Sequence, residues 1–278
     1  MNEAMHEYWN ADAGRTWAAL QARLDRSLSP VTAALLSHAA PQPGEAVLDI
    51  GCGSGETTLA LAVATGDAHG VDISRPLLAV AEARADALES LATFEEADAA
   101  TLPGDGDYDL ITSRFGVMFF DDPVAAFANI RGHAADGGRL RFVCWRSPKE
   151  NGWTMAPMQA LAPLMPPSEP QDPHAPGPFA LADPDRLAAI LDEAGWKDVD
   201  LARFDFEMLL GEDDEQGSAL DNAVDFSLRV GPAARLVREQ GEAVSEVAAN
   251  ALRAAYAPFV ADGRVALPGS VWLVSASA

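Results

Sequence analysis

The stretch Val47-Leu48-Asp49-Ile50-Gly51-Cys52-Gly53-Ser54-Gly55 carries the clearest chemistry in the chain. A short apolar run feeds three glycines at alternate positions, and a helical pattern follows. Glycines let a backbone approach a ligand closely, and the N-terminus of the next helix presents free N–H groups. A second apolar run, Ala68-His69-Gly70-Val71-Asp72, ends in an acid 21 residues after Gly51. At that spacing a strand-end carboxylate reaches the hydroxyls of an adenosine ribose. The glycine pattern then separates cofactors. A dinucleotide fingerprint asks for Gly-x-Gly-x-x-Gly or Ala, whereas position 56 is Glu, which would repel a pyrophosphate. Asp49, just before the loop, suits a ligand that carries an ammonium group and no phosphate. S-adenosylmethionine has that polar chemistry.

The elements that must position these residues alternate along the chain. Apolar runs at AVLDI and AHGVDI read as buried parallel strands, and TFEEAD, YDLITSR and RLRFVCW continue the strand series. Helical patterns stand between several of them: SGETTLALAVATG, opened by Ser54 as N-cap and closed near Gly66, then SRPLLAVAEARADALES and DPVAAFANIRGHAADGG. This alternation predicts a doubly wound α/β sheet. Before it, residues 1–40 read as helical, with Leu20, Leu24 and Leu28 at four-residue spacing and a second stretch after Pro30. After Trp145 the prolines of 146–182 break the pattern. Asp183 and Pro184 then open a helix that ends at Gly195, and VDLARFDFEMLL follows as a strand. Residues 219–262 read as mostly helical, with a stripe of Leu236, Val244, Val247, Leu252, Tyr256 and Phe259, and ALPGSVWLVSAS closes the chain as a strand.

On these residues the sequence resembles the class I S-adenosylmethionine-dependent methyltransferases. VLDIGCGSG looks like the family's first motif and VDIS its second, while Asp98-Ala99 stands where the family contacts adenine. YDLITSRFGVMFFDDP is similar to the fourth strand and its outgoing loop, and GGRLRFVCW to the fifth strand. The detailed match covers roughly residues 40–146 and points to the small-molecule branch, similar to the ubiquinone and menaquinone methyltransferases. The resemblance implies a Rossmann-like seven-stranded sheet ordered 3-2-1-4-5-7-6, with strand 7 antiparallel. It divides the chain into an N-terminal helical lid (1–40), a cofactor-binding core (41–146), a Pro-rich covering insertion (147–182), a core helix with strand 6 (183–218), a helical insertion acting as cap or dimer contact (219–262), and strand 7 (263–278).

The same resemblance assigns roles. Asp49 and Gly51 would face the methionine part, and Cys52, Gly53 and Gly55 would make the close turn. Asp72 would accept both ribose hydroxyls, Ile73 and Leu77 would flank the adenine, and Asp98 and Ala99 would bond its edge. Ser113, Arg114 and Phe115 would sit by the methionine part and the mouth of the acceptor site. The aromatics of the covering segments, Tyr8, Trp9, Trp17, Trp145, Trp153 and Phe179, either pack the lid or line an apolar acceptor pocket, and the two readings are compatible.

Methyl transfer from a sulfonium is an in-line displacement, so positioning supplies much of the rate. A hydroxyl or acidic carbon as acceptor would add a general base, usually histidine. Of five histidines, His38, His69 and His133 fall on structural elements, which leaves His6 and His174, with Arg114 as a further catalytic candidate. Ser113-Arg114-Phe115-Gly116 replaces the Asn/Asp-Pro-Pro-Tyr/Phe signature of transfer to amide or base nitrogens. Asp122-Pro123 reads as a helix N-cap and no metal site is expected.

Composition sets the remaining bounds. Acids outnumber Lys plus Arg by 42 to 19, a formal charge of −23, which opposes nucleic acid as a partner. No run approaches the roughly 18 apolar residues of a membrane span. Cys52 and Cys144 lie far apart without metal-ligand spacing. The expectation is a cytoplasmic monomer or homodimer acting on a small molecule with S-adenosylmethionine as cofactor and S-adenosylhomocysteine as product. Three alternatives stay open: a non-catalytic binder of these nucleosides, a transferase of another S-adenosylmethionine-derived group, and an NAD-dependent oxidoreductase.

Overall fold

The apolar runs form one sheet in the computed structural model, which describes residues 3–104, 106–165, 172 and 174–278. At its centre β1 (Val47–Ile50) is wholly buried and pairs in parallel with β2 (Ala68–Asp72), Val47 opposite Ala68 and Ile50 opposite Val71. On its other side lies β4 (Tyr108–Arg114), after which come β5 (Ala134–Trp145), β6 (Lys197–Glu212) and β8 (Arg264–Ser277). With β3 (Thr93–Glu96) at one edge, the order is β3-β2-β1-β4-β5-β8-β6, and β8 runs antiparallel to both neighbours. This is the expected topology with one addition. A two-residue strand, β7 (Val260–Ala261), pairs with the start of β8. Asp262 and Gly263 between them have φ of +49° and +70°, so the Asp-Gly pair makes a tight hairpin.

The segment expected to form a helical lid folds into α1 (Glu3–Asn10), α2 (Asp12–Ala19) and α3 (Gln21–Ala39). The last is continuous through Pro30 instead of breaking there. Proline leaves the carbonyl four residues back without its N–H partner. Here the Ser29 hydroxyl donates to that carbonyl, on Arg26, at 3.0 Å. Val31 and Leu35 of α3 are fully buried in the same core as Leu48, Ile111 and Phe142 of the strands. Next come α4 (Glu56–Thr65) and α5 (Arg75–Ala87); α4 packs on α3 and α5 on β3. Farther along, α6 (Pro123–Gly132) packs on α8 (Pro184–Glu193), and the buried Trp196 indole donates to the Phe127 carbonyl at 3.0 Å. Asp122 and Asp183 cap these two helices through their side chains, as the sequence indicates.

The remaining helices follow the fifth and sixth strands: α7 (Gly152–Leu161), then α9 (Ala219–Arg229), α10 (Pro232–Gln240) and α11 (Ser245–Tyr256). Leu236, Leu252 and Tyr256 of the expected stripe are buried, whereas Val247 and Phe259 are exposed. Among the described residues no helix is long and apolar enough to cross a membrane.

Candidate active site

The loop after β1 is held by backbone contacts on all sides. The N–H groups of Gly51 and Cys52 both donate to the Val71 carbonyl, at 2.8 and 3.1 Å. Gly51 has φ +64°, and a Cβ on it would lie 2.5 Å from the Cα of Gly116, so only glycine allows the two loops to touch. Gly53, at φ +55°, differs: a Cβ there would meet only Leu77 Cδ1, at 3.9 Å, leaving its surface open. The N-cap of α4 is Gly55, in the left-handed region and without a side-chain bond, instead of the expected Ser54. A Cβ at Gly55 would press on Ala81 and Phe94, and Gly55 stands outside the cavity wall.

Two carboxylates bracket this loop. Asp72 accepts from the N–H of Gly53 and from that of Ser74, both at 2.8 Å, and ties the loop to the end of β2. Burial raises its pKa, and the backbone N–H groups oppose the rise. Asp49 is 1% exposed and accepts from the hydroxyls of Thr58 at 2.7 Å and Thr112 at 3.1 Å. Burial pushes its pKa up to about 6, against the pull of the two hydroxyls and of Arg114. Burial also raises the Cys52 thiol, with Asp72 and Asp49 adding to the effect, so this cysteine is no thiolate nucleophile.

Loop and carboxylates face a cavity of about 1560 Å³. Its wall includes Asp49, Gly51, Cys52, Gly53, Asp72, Ile73, Leu77, Asp98 and Ala99. The Asp98 carboxylate accepts from the Ala100 N–H at 2.9 Å, and Asn129 donates to the Ala99 carbonyl at 3.1 Å. Ser113 stands behind the wall. Its hydroxyl donates to the Ile50 carbonyl at 2.7 Å and accepts from the Gly116 N–H at 3.1 Å, joining the end of β4 to the glycine loop.

Every aromatic residue marked in the sequence lines the same cavity, in two groups. Phe115, at φ +69°, stacks on Trp145 with centroids 4.4 Å apart; Trp145 meets Trp153 at 4.8 Å, and Trp153 meets Phe179 at 6.2 Å. In the lid, Trp9 meets Tyr8 and Trp17 edge-on, each at 5.3 Å, and Phe119 at 5.9 Å. Such pairs contribute about 0.5–1.5 kcal/mol each beyond the area they bury.

The three catalytic candidates separate. His174 is exposed and outside the wall, its own N–H bonded to Asp172, because the turn that carries it leaves only residues 176–179 against the cavity. His6 lines the cavity with its Nε2 3.8 Å from Glu96 at the end of β3. Arg114 lines the cavity too, but it is bound to Glu56 in a largely buried ion pair and donates to Thr32 at 2.7 Å. A guanidinium so held is engaged in structure, joining the end of β4 to the start of α4 and to α3.

Several contributors were not marked in the sequence. Glu56, which argues against a pyrophosphate, is the partner of Arg114. Arg84 of α5 donates to the Ser54 carbonyl at 2.7 Å and to Asp25 of α3 at 2.9 Å, clamping the glycine loop to the lid. Asn10 joins the lid to the segment after β2, donating to the Ile73 carbonyl at 2.8 Å and accepting from the Arg75 N–H at 3.0 Å. Ser227 lines the cavity with its hydroxyl 2.8 Å from that of the buried Tyr256. None of these pairings has a local signal, because each joins residues 29 or more apart in sequence.

Comparison with known proteins bears on the family and the fold. A family model described as a methyltransferase domain matches residues 47–138, from β1 into β5. A demethylmenaquinone methyltransferase of Roseiflexus castenholzii is 32% identical over 189 residues, 63% of this chain and 76% of that protein. An uncharacterized protein of Mycobacterium tuberculosis is 31% identical over 119 residues, 42% of this chain; the chain thus spans less than half, 43%, of that relative. In fold, the YcgJ protein from Bacillus subtilis superposes with a TM-score of 0.56 at 17% identity, covering 91% of this chain and 97% of that one. From the glycine loop, the strand order and the extended identity to the Roseiflexus protein, the chain belongs to the class I S-adenosylmethionine-dependent methyltransferases, in the branch that holds the menaquinone-type enzymes.

Proposed function

We propose that this protein transfers the methyl group of S-adenosylmethionine to a small-molecule acceptor held among the aromatic side chains of the cavity. The observation that carries this reading is one continuous cavity with the glycine loop, Asp49 and Asp72 in its wall together with the Phe115–Trp145–Trp153–Phe179 stack. At about 1560 Å³ it exceeds the volume of a typical single-ligand pocket, roughly 300–1,000 Å³, and leaves room for cofactor and acceptor side by side.

The residues fit the cofactor. Gly53 offers open backbone, Asp72 keeps carboxylate lone pairs beyond its two N–H bonds, and Asp49, made reluctant to ionise by burial, gains most from a nearby ammonium. Ile73 and Leu77 supply apolar flanks for the adenine, with Asp98 and Ala99 at its edge. When bound, the cofactor supplies a methyl group on a sulfonium. Phe115 and Trp145 hold the acceptor and exclude water, so the chain contributes chiefly near-attack geometry. His6, the one histidine in the described wall, is the remaining candidate for a base.

Incubation with methyl-labelled S-adenosylmethionine and a panel of small acceptors tests this. S-adenosylhomocysteine should appear in step with a methylated product, and Asp72→Ala should lower the rate at least about tenfold, one lost charge-assisted bond pair. A folded wild-type protein that binds the nucleoside but methylates nothing across phenols, amines and acidic carbon acids would favour the non-catalytic binder.

A further inference from the structure

The cavity wall is charged asymmetrically. Its acids, Glu239 apart, come from the first 122 residues, around the glycine loop, the strand ends and the lid. Its arginines and lysine, Arg114 apart, come from residues 149–238: Lys149, Arg229, Arg235 and Arg238. In a chain of formal charge −23, surface cations ordinarily find carboxylates. Two of these do so along their own helix: Arg229 with Asp225 at 3.1 Å, and Arg235 with Glu239 at 2.7 Å. Lys149 and Arg238 form no ion pair among the described residues. Both are exposed. Lys149 sits in the turn between β5 and α7, and the Arg238 guanidinium lies 5.8 Å from the ring centroid of Tyr8, where α10 approaches the lid.

Much of the remaining wall is soft and apolar. All six methionines among the described residues line the cavity: Met5, Met118, Met155, Met158, Met165 and Met208. Thioether side chains adapt to the shape of what they contact and interact well with rings. Together with the stacked Trp145, Trp153 and Phe179, they form a surface for a large ring system. A neutral ring compound would use that surface fully and make no charge contact with Lys149 or Arg238.

We propose that the acceptor is a bulky aromatic or polycyclic molecule bearing an anionic group, its rings among the methionines and stacked aromatics and its negative charge selected by Lys149 and Arg238. This rests on the methyl-transfer reading of the cavity. The residues that select the charge lie in neither the glycine loop nor the strand ends.

A matched pair of fluorescent probes tests it on the full chain: anilinonaphthalene sulfonate, and phenylnaphthylamine, which has the same rings without the sulfonate. The wild type should bind the sulfonate more tightly. Lys149→Gln combined with Arg238→Gln should weaken the sulfonate about three- to tenfold, as expected for two solvent-exposed charge contacts, and leave the neutral probe unchanged. Trp153→Leu should weaken both, which locates them in the cavity. Equal affinity for the two probes in the wild type, a double variant that loses neither or both, or a Trp153→Leu variant that weakens neither would overturn the proposal. Calorimetric titration of S-adenosylhomocysteine into the same preparations separates the two readings. Failure to bind the nucleoside, with the charge preference intact, would remove methyl transfer while supporting the anion-selecting cavity.

Discussion

The carboxyl of Asp49 is 1% exposed and touches two threonine hydroxyls, so its ionisation inside the sheet costs free energy that a nearby cation would recover. Its pKa of about 6 lies above the unfolded value of about 4. Folding therefore takes up a proton between those values. The stability from the neutral carboxyl is fully present below about pH 4 and is lost as pH rises through about 6, with an upper limit of about 3 kcal/mol for two pKa units. Asp49→Asn, which cannot ionise, should melt higher than the wild type near pH 8 and alongside it near pH 4. It should also bind S-adenosylhomocysteine at least about tenfold more weakly, the equivalent of one lost charge contact in a buried site. A variant that melts lower than the wild type near pH 8 would mean that the Thr58 and Thr112 bonds to the carboxylate outweigh its desolvation. At this scale the sequence is informative about residue type and spacing, as with Asp49, Gly51 and Asp72. It is silent about partners such as Glu56 for Arg114, because that contact joins residues 58 apart.

Among the elements, the lid has the most specific attachment. Asn10 bonds the segment after β2, and the Ser74 hydroxyl donates to the Trp9 carbonyl at 2.8 Å. Gly14 makes this fit possible: a Cβ there would lie 1.9 Å from the Trp9 carbonyl oxygen and 3.0 Å from Ser74 Oγ. The N-terminal helices thus rest on the segment that follows Asp72, beside that side of the cavity. Gly14→Ala and Asn10→Ala should speed S-adenosylhomocysteine dissociation by roughly five- to tenfold, about one hydrogen bond to each side of the latch, while the core melts near its wild-type temperature. Hydrogen exchange should quicken in α1 and α2 and stay unchanged in β1 and β4. Unchanged exchange and dissociation in both variants would contradict a latch at this position. The helical character of residues 1–40 was legible from leucine spacing, whereas the continuity of α3 was not, because it depends on Ser29 serving the carbonyl that Pro30 leaves unpaired. The hairpin at Asp262–Gly263 did have a local signature in its Asp-Gly pair, hidden inside a stretch that otherwise reads as helix followed by strand.

Across the whole molecule, the strand order follows from a repeated local pattern: short apolar runs, glycine turns and helices of matching length leave few ways to wind the sheet. The fate of the segments after β5 and β6 does not follow from such a pattern. Whether residues 219–262 meet their own active site or another surface depends on packing over long sequence distances. In the structure α9 and α10 contribute Phe226, Ser227, Leu236 and Arg238 to the cavity wall. These segments widen the cavity beyond the glycine loop and add Lys149, Arg229, Arg235 and Arg238 to its wall. The overall negative charge and the local cations thus serve different distances, the first discouraging polyanions and the second favouring a small anionic molecule.

The most direct test of the assignment is calorimetric titration of the folded protein with S-adenosylmethionine, S-adenosylhomocysteine and NADH, repeated on Asp72→Ala. Saturable micromolar binding of both sulfur nucleosides, none of NADH, and marked weakening in a variant that still melts cooperatively is the expected result. Binding of NADH in place of the sulfur nucleosides, or no binding of either by a folded wild-type protein, would contradict it.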